Sequence, residues 1–216
     1  MDERLDTTRV LRSALAGDSA AWDWVVRRIS PLLVAQAEHR MHPRLRQICD
    51  PEDVVAEAWL RALPVLRGEF SIGSGRCTPR VVALLAKTVQ YRILELLRKL
   101  TPNSGGRPRS ESALSFEDAG LEPAGRGASP VKPLMLADDV VSVVKLLRRL
   151  EDADRNVVVL RIVEGVPARE VAERLGLTET AVHTRLSRAL KRLRDECPDG
   201  IFDEFDDDAP VEVREE

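Results

Sequence analysis

The sequence predicts an all-α protein, and three features of its composition support this prediction. Aromatic residues make up only 4% of the 216 residues, whereas hydrophobic residues make up 44% and charged residues 32%. The chain is rich in Leu, Arg, Ala and Glu, which favour helices over strands. β-branched residues rarely alternate with polar ones, so the period of two that is typical of half-buried strands is missing.

The predicted helices fall into two blocks, of which the first extends from about Thr8 to Leu100. Ser/Thr/Asp caps and prolines at the first helical position mark helix starts. Four starts are predicted on this basis: Ser19 as a cap, Pro31, Pro51 after Asp50, and Pro79 after Thr78, the last helix ending near Lys99. Because proline lacks the backbone N–H, the Ser30-Pro31 pair is expected to end the first of these helices, and Pro31 to begin the second.

The stretch 101–137 predicts a flexible linker between two small helical domains. It contains five prolines and five glycines and has neither a helical nor a strand period. The second domain is predicted over 138–197, and an acidic tail over 198–216. From Asp195 to Glu216 eleven acidic residues face one basic residue, so this end carries −10 and the preceding residues +7, the whole chain having a net charge of −3.

The second block predicts a helix-turn-helix, with helices that begin near Asp138, Asp152, Pro167 and Thr178. Gly176 suits the left-handed turn between the last two helices, and Thr178 suits the cap of the last one. The final helix places five apolar residues on one face by the 3.6-residue period: Val182, Leu186, Ala189, Leu190 and Leu193.

The opposite face of this helix predicts a DNA-reading surface. It carries small hydroxyls and basic groups, flanked by a histidine and an arginine: Thr180, Thr184, Ser187, Arg188 and Lys191, with His183 and Arg185 on the flanks. Arginine forks match guanine edges and phosphates, and hydroxyls donate to phosphates. The alternative interpretation is a solvated basic face on an ordinary helical hairpin.

Two further polar stripes are candidate interfaces in the first block. Asp53, Glu57 and Arg61 recur every four residues beside the small Val54, which suits a docking surface; the alternative is a surface helix with one Glu57–Arg61 pair. The helix from Pro79 to Lys99 carries a second stripe, which is able to follow a phosphate backbone and stack a base: Arg80, Lys87, Tyr91 and Arg98. Its alternative is a solvated face with Tyr91 at the rim.

These segments together resemble the extracytoplasmic-function family of bacterial RNA polymerase sigma factors. LEDADRNVVVLRIVEGVPAREVAERLGLTETAVHTRLSRALKRLRDE (150–196) resembles sigma region 4, which reads the −35 promoter element. DPEDVVAEAWLRAL (50–63) resembles region 2.2, which grips the β′ coiled coil of the polymerase. The helix 79–99 resembles regions 2.3–2.4, which hold the −10 element, although Tyr91 stands where the family usually has Asn.

The resemblance implies a function and a set of partners. The chain is expected to bind core RNA polymerase through its β and β′ subunits, to direct it to promoter DNA and to help melt the −10 region. The resemblance places His183, Thr184, Arg185 and Arg188 at the −35 element. It also implies an anti-sigma factor that clamps both domains.

Several classes of function are disfavoured by the sequence. Cys49, Cys77 and Cys197 are scattered, which fits neither disulfides nor a zinc site and favours a reducing cytoplasm. There is no apolar run long enough to insert into a membrane, and there is no phosphate loop or catalytic motif. We therefore expect no metal, no cofactor and no enzymatic activity. The main alternative is a stand-alone regulator that uses only the helix-turn-helix and needs neither stripe of the first block.

The acidic tail permits two interpretations. It either folds back on the basic recognition helix and lowers DNA affinity, or it is a disordered segment that improves solubility.

Overall fold

A computed structural model describes residues 7–68, 77–100, 131–197 and 201–205, and in these residues the all-α prediction is confirmed. They contain helices and turns but no strand. The helices are α1 (Thr7–Leu15), α2 (Ser19–Arg40), α3 (Pro43–Arg46), α4 (Pro51–Gly68), α5 (Thr78–Leu100), α6 (Lys132–Met135), α7 (Asp138–Arg149), α8 (Asp152–Val158), α9 (Ala168–Leu175) and α10 (Glu179–Glu196).

Helix α2 is the central element of the fold, and two predictions about it are wrong. Its cap is Asp18, whose carboxylate accepts from the amides of Ala20 and Ala21 at 2.9 and 3.1 Å, rather than Ser19. The helix also continues through Pro31. An internal proline costs about 3 kcal/mol. Packing outweighs this cost, because helices on several sides bury more than half of α2.

A hydrogen bond beside the proline ties α2 to α4. The indole Nε1 of Trp59 donates to the Ser30 hydroxyl at 3.0 Å, and both residues are fully buried. Trp22 meets Trp59 edge to face, with ring centroids 6.5 Å apart. Both tryptophans therefore serve the packing of the core.

The helix starts predicted for α5 and for the second block are confirmed to within a residue or two. Helix α8 does not end at Val158 but widens into a π-type turn over Val159–Val163, all of which is buried. Helices α9 and α10 follow as the two helices of the helix-turn-helix. Helix α10 packs against both α8 and α9, which hold it by its apolar face.

The two blocks pack directly against each other. Helix α2 contacts α6, α7 and the π-type turn, and the buried apolar residues of both blocks form one continuous cluster. Most of the predicted linker (101–130) lies outside the described residues. Its last part does not: α6 lies within it, and Val131 and Met135 are buried.

A short 3-10 turn, Ile201–Glu204, lies within the region predicted as an acidic tail. Ile201, Phe202 and Phe205 are buried, and the guanidinium of Arg194 donates to the carbonyls of Phe202 and Phe205 at 3.2 and 2.6 Å. Residues 206–216 lie outside the described residues. The apolar side chains that dock this turn are hidden in the sequence among many carboxylates.

Within the described ranges, each helix is either too short or too polar to cross a lipid bilayer.

Candidate nucleic-acid and partner interfaces

The turn that presents α10 has the geometry that its residues predict. Gly176 adopts a left-handed conformation (φ 65°, ψ 35°), and its N–H bonds back to the carbonyl of Ala172. Thr178 caps α10, its hydroxyl accepting from the amide of Ala181 at 3.2 Å. The apolar residues predicted to face inward are all buried: Val182, Leu186, Ala189, Leu190 and Leu193.

Helix α10 therefore presents its predicted DNA-reading face outward. Exposed on this face are Thr180, Thr184, Arg188 and Lys191, while His183, Arg185 and Ser187 are half-buried. The Thr184 hydroxyl donates to the carbonyl of Thr180 at 2.8 Å, which fixes its rotamer. No bulky apolar side chain interrupts this face among the described residues. The face is thus basic and rich in hydroxyls, and the major groove of DNA admits an α-helix.

Arg185 differs from the other basic residues of α10 because a neighbouring helix holds it. Its Nη1 donates to the Asp154 carboxylate of α8 at 2.7 Å, and both side chains are about three-quarters buried. An arginine held by a carboxylate is oriented in advance, which reduces the side-chain entropy lost on binding a phosphate or a base. The sequence predicts Arg185 as a flanking residue but contains no pattern that identifies Asp154 as its partner.

Replacing Gly176 with alanine is expected to destabilise the chain by about 1 kcal/mol, because a Cβ disfavours the left-handed conformation. There is space for the added atom, since nothing lies within 4 Å of its position, so the loss reports backbone strain alone. Chemical denaturation monitored by circular dichroism measures the loss. Gly176→Asn is the matched control and should lose less, because asparagine tolerates this conformation. Equal losses in both variants would contradict the explanation.

The predicted docking stripe on α4 is only partly exposed. The Asp53 carboxylate is 41% exposed and the Glu57 carboxylate 25%. Arg61 and Val54, in contrast, are buried, with only 5% and 1% of their surface exposed. This differs from the exposed stripe that the spacing predicts. The reason is that α5 covers the far end of α4, and Arg61 turns into that contact.

A network of five charged residues joins α4 to α5. Arg61 pairs with Glu57 at 2.9 Å and with Glu95 at 3.0 Å. Arg92 pairs with the same two carboxylates at 2.6 and 3.1 Å, and Lys99 pairs with Glu95 at 3.0 Å. The i,i+4 spacing predicts the Glu57–Arg61 pair, but the partners on α5 follow only from the packing of the two helices.

The network stabilises the ionised form of Glu95. Burial raises the pKa of this carboxyl, but hydrogen bonds from Lys99 and Arg92 and the charges of Arg61 and Arg92 outweigh burial and lower its pKa to about 2. A carboxyl whose pKa is lowered by folding stabilises the folded chain at pH values above its ordinary pKa of 4.5. This contribution is lost as the pH falls from there toward 2.

The predicted nucleic-acid stripe on α5 remains on the surface. Arg80, Lys87 and Arg98 are exposed, and Tyr91 is half-buried beside them. The opposite face is buried, including Val82, Leu85, Val89 and Ile93, which fixes the orientation of the stripe. Phe70 and the Gly- and Ser-rich residues 71–76, which precede α5, lie outside the described residues.

In the part of the chain that the structure describes, no three His, Cys, Asp or Glu side chains are grouped closely enough to hold a metal ion. The three cysteines are free thiols.

Comparisons with known proteins agree on one family. A family model described as Sigma-70, region 4, matches residues 141–193, which include the helix-turn-helix. The chain is 31% identical over 197 residues to the ECF RNA polymerase sigma factor SigD of Mycobacterium tuberculosis, covering 90% of this chain and 84% of the relative. It is 26% identical over 200 residues to the ECF RNA polymerase sigma factor ShbA of Streptomyces griseus, covering 89% and 96%. No solved structure gives a significant match.

Proposed function

Because the chain belongs to the extracytoplasmic-function (ECF) family of RNA polymerase sigma factors, we propose that three of its surfaces divide polymerase docking and promoter reading among them. The chain directs RNA polymerase to promoters and is a transcription initiation factor rather than an enzyme. Each task falls to a separate helix. The exposed face of α10 carries most of this proposal, because it offers donors for DNA and no apolar obstacle among the described residues.

Helix α10 reads the −35 element in the major groove. Arg188 and Lys191 are exposed and reach bases or phosphates, and the hydroxyls of Thr180 and Ser187 donate to the DNA phosphates. The Thr184 hydroxyl donates to the carbonyl of Thr180, so Thr184 offers its methyl group and its hydroxyl oxygen to the groove. Arg185, oriented by Asp154, and His183 lie beside them. The N-terminus of α10 adds the positive end of a helix dipole, which favours a phosphate.

Helix α5 holds the −10 element. Arg80, Lys87 and Arg98 follow the phosphates of one strand, and Tyr91 stacks on an unpaired base. Melting requires no chemistry from the chain, since binding free energy directed at the open strand is sufficient.

Helix α4 docks on the polymerase, with the β′ coiled coil as the contact and the β subunit as a second partner of the chain. Asp53 contributes most to docking, because its side chain is the most exposed of the four residues predicted for this surface. Glu57 contributes its exposed edge. Arg61 and Val54 are buried, so their part in docking is to hold the helix and its carboxylates in place.

Two further parts of the proposal rest on the family resemblance alone. An anti-sigma factor that clamps both blocks is the proposed regulatory partner. The cytoplasm, where bacterial core polymerase works, is the proposed location.

The experiment that tests docking measures binding of the full chain to purified core RNA polymerase, using a fluorescent label and anisotropy. Asp53→Arg is expected to weaken binding about ten-fold, because a complementary charge becomes a repulsive one at the interface. Glu173→Arg makes the same change of charge at an exposed position of α9, away from the stripe. It is expected to change binding much less.

Circular dichroism must show that both variants retain the wild-type helix content. Equal binding of the Lys132→Ala and the Asp53→Arg/Lys132→Ala chains would remove α4 as the docking helix, because without Lys132 the substitution at Asp53 changes only the contact with polymerase. Absence of binding by the folded wild type would contradict the polymerase assignment itself.

A further inference from the structure

A segment of the chain forms an ion pair with the carboxylate that the proposed docking surface needs most. Lys132 in α6 forms an ion pair with Asp53 of α4. Val131 and Met135, on either side of Lys132, are 5% and 2% exposed, so the segment is anchored by apolar burial as well as by charge. Helix α6 contacts both α2 and α4. The Asp53 carboxylate is therefore occupied by a cation of its own chain.

Helix α7 and the end of the π-type turn extend this contact along α2. Arg148 Nε donates to the Glu38 carboxylate at 2.9 Å. Arg40 Nε donates to Glu164 at 2.8 Å, and Gln36 donates to the same carboxylate at 3.1 Å. The Glu164 side chain is only 2% exposed, so the contact between the blocks excludes water around it. Two arginine–carboxylate pairs thus cross from one block to the other beside an apolar contact.

The C-terminal 3-10 turn fastens the two blocks at a further place. The Glu204 carboxylate accepts from the backbone amide of Thr7 in α1 at 3.1 Å. Arg194 of α10 holds the carbonyls of the turn from the other side. Residues from both ends of the described chain therefore take part in the closed arrangement.

The DNA-reading face of α10 is left open by the same arrangement. Thr180, Thr184, Arg188 and Lys191 are all exposed, although the blocks are packed together. Packing of the blocks therefore covers the polymerase side of the molecule and not its −35 side.

We propose that the free chain is self-inhibited toward RNA polymerase, because its own α6 and α7 hold the second block against α2 and α4 and Lys132 neutralises Asp53. Polymerase binds only after the second block has moved away. This inference rests on the proposed docking role of α4. It concerns a contact within the chain, distinct from a clamp by a separate anti-sigma protein.

The expected size of the effect follows from population shift. The measured dissociation constant of a site that is open for a fraction of the time is the intrinsic constant divided by that fraction. If about one molecule in ten is open, complete opening tightens binding about ten-fold. The Arg148–Glu38 pair is partly exposed and contributes little, whereas the Arg40–Glu164 pair includes a buried carboxylate, so reversing both is expected to open about half of the molecules. We therefore expect about five-fold tighter binding for the reversed variant.

The test uses the full-length variant Arg40→Glu/Arg148→Glu, which places like charges opposite Glu164 and Glu38. Small-angle X-ray scattering measures the radius of gyration, and anisotropy measures affinity for core polymerase. We expect a larger radius and tighter binding than in the wild type. Lys145→Glu is the matched control for the single change Arg148→Glu, since it makes that change of charge at an exposed position of α7. It should alter neither quantity.

A charge-exchange variant tests whether unfolding, rather than opening, causes the change in binding. Arg148→Glu alone should bind polymerase more tightly, and Glu38→Arg/Arg148→Glu should return toward wild-type binding because the pair is re-formed with exchanged charges. A larger radius without tighter binding would overturn self-inhibition while leaving docking through α4 intact. An unchanged radius in the two-pair variant would overturn the closed form. If Asp53→Arg has no effect even in the opened variant, the docking proposal fails instead.

Discussion

Replacing Arg61 with methionine is expected to lower the free energy of unfolding by about 3 kcal/mol, because it leaves two partly buried carboxylates short of a cation. Arg61 is 5% exposed, and it pairs with Glu57 and Glu95 at the contact between α4 and α5. Methionine keeps the apolar stem and removes only the charge and its donors. Denaturation in urea, followed by circular dichroism at neutral pH, measures the loss.

The pH dependence of this loss identifies its cause. Glu95 is ionised in the folded chain down to a pKa of about 2, partly because of the charge of Arg61. The difference between wild type and Arg61→Met should therefore be largest above pH 4.5 and should shrink as the carboxylate is protonated toward pH 2. Arg67→Met, an exposed arginine of the same helix, is the control and should cost less than about 1 kcal/mol. Losses of the same size in both variants would show that the network contributes nothing.

Replacing Arg188 with alanine is expected to weaken binding to the −35 element about thirty-fold, or about 2 kcal/mol, since an arginine fork to a base edge is worth about 1–3 kcal/mol. Arg188 is exposed on the outward face of α10. The probe is a duplex enriched from a random library by immobilised wild-type holoenzyme. Fluorescence anisotropy measures the affinity of each variant for this duplex and for an unrelated duplex. A loss of affinity for the enriched duplex alone indicates base reading, and an equal loss for both indicates phosphate binding.

Lys191→Ala is the contrasting variant for this prediction. A lysine on a phosphate weakens binding to both duplexes alike and lowers the salt slope by about one. Arg188→Ala should instead weaken binding mainly to the enriched duplex. If Arg188→Ala weakens binding to both duplexes equally, Arg188 contacts phosphate and the base-reading role passes to another residue of α10.

The sequence was sufficient for those features that depend on short-range pattern. The turn at Gly176, the cap at Thr178 and the buried face of α10 are all specified within a few residues, and all are as predicted. The all-α fold and the sigma family follow from the same kind of pattern and are confirmed. The assignment of single residues to polymerase and promoter remains a prediction.

The features that the sequence could not predict depend on long-range packing. Pro31 locally favours a break, and α2 is continuous only because helices from both blocks cover it. Arg61 has the spacing of a surface residue, and only the position of α5 buries it. Asp154 beside Arg185 and Lys132 beside Asp53 are partners 31 and 79 positions apart, beyond the reach of any helical period.

The charged network between α4 and α5 has a mechanical consequence for initiation. The five charges of this network hold α4 and α5 in one relative orientation. Under the proposed roles of the two helices, the distance between the polymerase contact on α4 and the melted strand on α5 is set by that orientation. The spacing between promoter and start site would then be a property of the rigidity of this chain as much as of the polymerase that uses it.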